Sequence, residues 1–190
     1  MFGIVKKRIM YIEVNIPYDI DGFLAQAYNR ALEHGVSEWV LFLDQDVFLC
    51  NPHWYKMCGE AIETLQQDSK AACVGCVCGG EHRQIHQNGK VPIPNGDIEY
   101  HIEKSKEYYH KYGNTLEHRN KHVTGFFLLM KRSIAKEIGF NQMGTTINNI
   151  DVDFGNRLLK AGYHIYTMPG LYVYHRRGMK HLKKEFKTLK

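Results

Sequence analysis

Short apolar runs alternate along this chain with stretches whose apolar residues recur at helical spacing. Arg8 to Ile16 alternates in part and carries Ile, Tyr and Val, which predicts a strand closed by Pro17. From Asp21 or Gly22, the residues Phe23, Leu24, Ala27, Ala31 and Leu32 share one face, predicting a helix ended by Gly35. Val40 to Leu43 is continuously apolar, the mark of a strand buried on both faces. Trp54 to Gln67 predicts a second helix and Ala71 to Cys78 another buried strand. Beyond residue 122, Val123 to Met130 predicts a strand opened by a Thr-Gly break. A short helix from Ser133 to Ile138 follows, capped by Ser133 and stopped by Gly139. Asn148-Asn-Ile-Asp-Val-Asp153 leads into a last helix that turns Phe154, Leu158 and Leu159 inward and ends at Ala161-Gly162. Tyr163 to Met168 and Leu171 to Tyr174 predict two closing strands. Such alternation predicts one layered α/β domain over residues 1–190, its mainly parallel sheet flanked by helices.

One segment breaks the rhythm. Gly79 to His122 is polar, rich in His, Lys and Tyr, and carries Pro92, Pro94 and Asn95-Gly96, with a helix possible over Ile98 to Tyr112. An irregular stretch of this length either lies over a binding cleft or is a surface excursion.

The chain's 190 residues suffice for one domain with a proper core. No run reaches the ~20 apolar residues that a membrane span requires, and no secretory h-region follows Lys6, Lys7 and Arg8, so a cytoplasmic protein is expected. Five cysteines include Cys73, Cys76 and Cys78 in an apolar run without a second ligand pair at zinc-site spacing, so they read as reduced core thiols. The net charge of +5 gathers in a basic tail over residues 178–190, just beyond Arg176 and Arg177. That tail is either solvated or draws a polyanion such as a nucleotide diphosphate, an acidic lipid headgroup or nucleic acid, leaving peripheral membrane association open.

Polar outcrops stand where the apolar elements stop. Asp44 and Asp46 close the run Trp39-Val-Leu-Phe-Leu-Asp-Gln-Asp46, at the strand end where open α/β sheets bind ligands. Two carboxylates beside a buried strand call for a cation, and Mg²⁺ or Mn²⁺ takes one or two carboxylates together with phosphate oxygens. The plain alternative is a solvated turn. Asp151 and Asp153 suit the first turn of a helix, where the macrodipole favours carboxylates. His175 ends the last apolar run as Asp46 ends an earlier one.

Taken in order, these segments resemble family 2 of the GT-A-fold glycosyltransferases, in a short bacterial or bacteriophage-like form. The matching stretches are Gly22-Phe-Leu-Ala-Gln-Ala-Tyr-Asn29, Leu41-Phe-Leu-Asp-Gln-Asp-Val47 and Thr124-Gly-Phe-Phe-Leu-Leu-Met-Lys-Arg132. They continue with Ile138-Gly-Phe140, Ile150-Asp-Val-Asp-Phe-Gly-Asn-Arg-Leu-Leu-Lys-Ala-Gly-Tyr163 and Tyr172-Val-Tyr-His175. The resemblance implies a GT-A-type, Rossmann-like domain that transfers a hexose from a nucleotide-sugar, a UDP-sugar first, with inversion at the anomeric carbon. It implies a Mn²⁺ or Mg²⁺ ion held by Asp46 and His175 with Asp44 behind, and donor contacts from Pro17, Tyr18, Asn29, Asp44, Gln45 and Asp46. Thr124 and Gly125 fall on the acceptor side. Asp151 matches the general base; because Ile150 stands where relatives carry Glu, Asp153 is the second choice. The acceptor class runs from a glycan to a lipid carrier or modified nucleic acid, and a homo-oligomer is open. Ile12 to Tyr18 runs almost directly into the Gly22 helix, where relatives carry a further βα unit. Two alternatives follow: a catalytically silent GT-A domain used as a binding module, or a metal-dependent nucleotidyltransferase.

Overall fold

The computed structural model describes residues 11–79, 85–86, 89–90, 97–122, 124–142 and 149–176. The expectations for Arg8 to Met10, for the basic tail and for most of residues 80–96 lie outside them. In chain order the elements are β1 (Ile12–Asn15), α1 (Leu24–His34), β2 (Trp39–Leu43), β3 (Val47–Phe48), α2 (Trp54–Leu65), β4 (Ala71–Gly79), β5 (Ile85–His86) and β6 (Gly89–Lys90). They continue with α3 (Ile98–Tyr112), β7 (Glu117–Arg119), β8 (Phe127–Lys131), α4 (Arg132–Ile138), α5 (Ile150–Lys160) and β9 (His164–His175). Among the described residues no helix is long and apolar enough to cross a membrane.

The central sheet runs β1-β2-β8-β4-β9-β3, with β7 also on β9. β1 pairs with β2, and β4 with β9, in parallel. β8 runs antiparallel to both β2 and β4, so β1, β2, β4 and β9 all point the same way. The main strands are thus mostly codirectional, while β8 and the short β3 and β7 make the pairing mixed.

Both faces of this sheet are covered, which is why its strands read as unbroken apolar runs. Val40 and Phe42 of β2 meet α1, α4 and α5 through Tyr28, Leu32, Ala135, Phe154 and Leu158. Leu41 and Leu43 face α2 through Met57, Cys58, Ala61 and Ile62. A smaller cluster packs α3 on Tyr172 and Tyr174 of β9, where the buried His101 ring stacks on Tyr174 at 3.9 Å and its Nδ1 lies 2.7 Å from the Tyr172 hydroxyl. All five cysteines are free and buried.

Three local expectations are corrected, the first being the start of α1, which lies at Leu24 with Phe23 as its N-cap rather than at Asp21 or Gly22. Ser133 does not cap α4: the helix already includes Arg132, Lys131 is its N-cap, and no side chain caps it. The two closing strands are one, because β9 stays paired to β4 on both sides of an irregularity opposite Cys76 and Val77. The α1 N-terminus has no cap of its own, and a distant residue supplies one. Gln142 Oε1 accepts from the Ala25 N–H at 2.9 Å, and its Nε2 donates to the Gly22 carbonyl at 2.6 Å.

The far end of α1 is held by Arg132, whose side chain is 9% exposed. Its guanidinium donates to the Ala31, Leu32 and Ser37 carbonyls, the Ser37 hydroxyl and the Glu13 carboxylate. One side chain thereby satisfies the Leu32 carbonyl in the last turn, adds a second donor to the Ala31 carbonyl that the Gly35 N–H already reaches, and ties β1 to the rest of the sheet.

Candidate functional site

The C-terminal ends of β2 and β9 meet at one edge of the sheet. β2 delivers Asp44; the chain then turns, with the Val47 N–H donating to the Asp44 carbonyl, and enters β3, whose Val47 pairs with His175 of β9. The Arg176 N–H donates to the Asp46 carbonyl and closes the join. Backbone pairing therefore carries His175 to two carboxylates more than a hundred residues earlier in the chain.

Side-chain geometry follows. His175 Nε2 lies 3.0 Å from Asp46 Oδ1 and 3.3 Å from Asp44 Oδ2. One ligand atom from each of the three residues lies within 4.8 Å of the others. Asp44 and Asp46 are half-buried, and the His175 side chain is only 8% exposed. His175 Nδ1 has no hydrogen-bond partner among the described residues, so the buried ring is oriented by packing against Phe126, 5.5 Å away, and by what Nε2 faces.

These donors fit a divalent ion. Two ligands on opposite sides of a cation with bonds of about 2.1 Å stand about 4.2 Å apart, so the three atoms need only a small adjustment to share one. Two carboxylates and one imidazole form a set of borderline hardness, better suited to Mn²⁺ than to Mg²⁺.

Asp151 stands beside this triad. The Asp44 N–H donates to the Phe126 carbonyl at 3.1 Å, and the neighbouring Gly125 N–H donates to Asp151 Oδ2 at 2.7 Å. Asp151 Oδ1 accepts from the Val152 N–H at 2.9 Å, in the first turn of α5. A side chain at Gly125 would bring its Cβ to 3.3 Å from the Asp151 Cβ, so the absence of one lets the turn before β8 approach this close. Asp153 points elsewhere. It pairs with Arg157 at 2.8 Å, and Arg157 in turn donates to the Ile138 and Gly139 carbonyls at the end of α4. Residues two apart on a helix do not share a face, and here one meets Gly125 while the other fastens α5 to α4.

Other sequence-derived candidates are scattered. Gln45 is exposed between the two aspartates, and Thr124 is half-buried beside Gly125. Pro17 and the exposed Tyr18 lie on the loop from β1 to α1, outside the triad. The Asn29 amide is engaged on both sides by the Phe140 backbone, donating to its carbonyl at 2.9 Å and accepting from its N–H at 2.8 Å. Sequence reasoning passed over Gln142 and Arg132, whose partners lie 95 to 120 residues away in the chain.

The chain matches the profile of Glycosyl transferase family 2 over residues 21–139, a span holding Asp44 and Asp46 but not Asp151 or His175. No curated protein sequence matches it. Among solved structures it is similar to a mannosyltransferase from Pyrobaculum calidifontis in complex with GDP-Man and Mn²⁺, at 19% identity and a TM-score of 0.50. That similarity covers 82% of this chain and 37% of the mannosyltransferase, so the chain spans little more than a third of that protein's length. At this identity it is the fold that is shared.

Proposed function

The chain belongs to glycosyl transferase family 2, and from that premise we propose that it transfers a sugar from a nucleotide-sugar to an acceptor hydroxyl, with inversion. The observation that carries the reading is the convergence of Asp44, Asp46 and His175 at the sheet edge, with the Asp44 N–H bonded to the carbonyl of Phe126, the residue after the Gly125 that holds Asp151. Asp44, Asp46 and His175 would hold Mn²⁺ or, second, Mg²⁺. When bound, the ion stabilises the charge gathering on the departing diphosphate.

The protein's own part is positioning and proton transfer. Asp151 presents a carboxylate whose two oxygens are each held by one backbone N–H, leaving a lone pair on each for an incoming proton. The acceptor oxygen attacks the anomeric carbon as its proton passes to Asp151, and the bond to the diphosphate oxygen breaks on the opposite face. A single displacement of this kind inverts the anomeric centre. A nucleotidyltransferase would use the triad but leaves Asp151 without a task.

UDP-sugars are the first donors to try. GDP-mannose is the second, because the structurally similar mannosyltransferase binds it. Calorimetry with Mn²⁺ and each nucleotide-sugar tests the reading. We expect one donor to bind only with metal present, and Asp46→Ala to abolish that binding. Binding that persists undiminished in Asp46→Ala would remove the triad from the account.

A further inference from the structure

β9 carries a histidine at each end. His175 closes the strand at the triad. His164 opens it at the opposite end, beside Asp68 in the turn between α2 and β4 and beside His118 of β7.

His164 Nδ1 lies 2.7 Å from Asp68 Oδ2. An ionised carboxylate only accepts, so Nδ1 carries the ring proton and Nε2 of the neutral ring keeps a bare lone pair. The aspartate itself is held from two further sides. The Tyr166 hydroxyl donates to the same Oδ2 at 2.7 Å, and the Lys70 N–H donates to Oδ1 at 2.9 Å. The backbone is fixed as well, with the His164 N–H donating to the Lys70 carbonyl at 2.8 Å. A carboxylate that orients an imidazole through one nitrogen and leaves the other bare is the usual support of a metal-ligating histidine.

His118 brings a second imidazole. It pairs across the ladder with Tyr166, and His164, two residues before Tyr166, stands on the same side of β9. The two rings lie 5.0 Å apart with their planes at 86°. Two imidazoles that share one tetrahedral ion, with bonds of about 2.1 Å, have ring centres about 5 Å apart. His118 is exposed and the His164 side chain is 37% exposed, so water has access to the remaining coordination positions.

We propose that His118 and His164 form a metal site separate from the triad, for a borderline divalent ion of the zinc, copper or nickel kind, with Asp68 holding His164 in place. Imidazole suits those ions, whereas Mn²⁺ prefers oxygen ligands. Bound there, the ion ties β7 to β9 and to the turn before β4. The site does not depend on the sugar-transfer reading.

Zn²⁺ is titrated against a chromophoric chelator on the full chain carrying Asp46→Ala, which takes one ligand from the triad. The expected result is one bound Zn²⁺ whose affinity falls at least ~10-fold on adding His118→Gln, His164→Gln or Asp68→Asn. An excess of Mn²⁺ of about 100-fold should not displace it. Zn²⁺ should also raise the melting temperature of the Asp46→Ala chain, and not that of the chain also carrying His118→Gln. His118 is exposed, so its replacement removes no core contact, and without metal the melting temperature should stay within about 2 °C of the parent. Failure of the Asp46→Ala chain to bind Zn²⁺ overturns the proposal. So does an affinity left unchanged by His118→Gln, which removes the second ligand. An affinity left unchanged by His164→Gln overturns it too, leaving a plain ion pair between Asp68 and His164.

Discussion

Asp151→Asn is expected to lower the rate of sugar transfer by about 10²-fold or more while leaving donor and metal binding in place, the usual scale for loss of a general base. The geometry explains the separation of effects. Asp151 touches neither Asp46 nor His175; it is held by the Gly125 and Val152 N–H groups, so its loss leaves the metal triad intact. An asparagine there also turns its NH₂ group against one of two backbone donors, so it is both non-basic and poorly seated. Asp153→Asn should behave differently. It frees Arg157 from its partner, loosening the junction of α5 with α4, and leaves turnover close to that of the unaltered chain. Steady-state kinetics with donor-binding calorimetry on both variants decide the matter. Should Asp153→Asn prove crippled and Asp151→Asn active, the two roles must be exchanged.

The second large effect concerns stability. Arg132→Met should destabilise the fold by about 3 kcal/mol, the lower end for breaking a buried ion pair, because Glu13 keeps some contact with solvent. Its methylene stem is replaced, but the Ala31, Leu32 and Ser37 carbonyls and the Glu13 carboxylate lose a shared donor. For a chain of this size the melting temperature should fall by roughly 6–12 °C. Arg132→Lys should restore only part of the loss, since one ammonium cannot reach acceptors arranged around a planar fork. A melting temperature within about 2 °C of the unaltered chain for Arg132→Met would show that the helix end finds other partners, as exposed ends do with water.

The sequence made the covalently local features legible. The helix over Ile98 to Tyr112, the buried strand before Asp44 and the helix that begins near Asp151 all announce themselves through periodicity and turn residues. Asp44 and Asp46 stand out because carboxylates directly after a buried strand demand a compensating partner. Non-local pairing was harder to see. An apolar run buried on both faces carries no mark of direction, so nothing in Phe127 to Lys131 says that β8 enters the sheet antiparallel between β2 and β4. The caps on α1 could not be read either, because Gln142 and Arg132 come from the far half of the chain. Tyr28 looks like one more apolar-face residue until the fold sets its ring between Phe42 and Phe140. Asn29, expected at the donor, is spent on the Phe140 backbone, a use that sequence spacing does not show.

The central claim is sugar transfer from a nucleotide-sugar, and product analysis reaches it most directly. The full chain is incubated with Mn²⁺ and a panel of UDP-, GDP- and TDP-sugars, and the products are resolved by mass spectrometry with and without Asp46→Ala. The account predicts metal-dependent release of a nucleoside diphosphate, with the sugar passed intact to an acceptor or to water, and none of this in the variant. Release of a nucleoside monophosphate with a sugar phosphate, or equal turnover in Asp46→Ala, would contradict it.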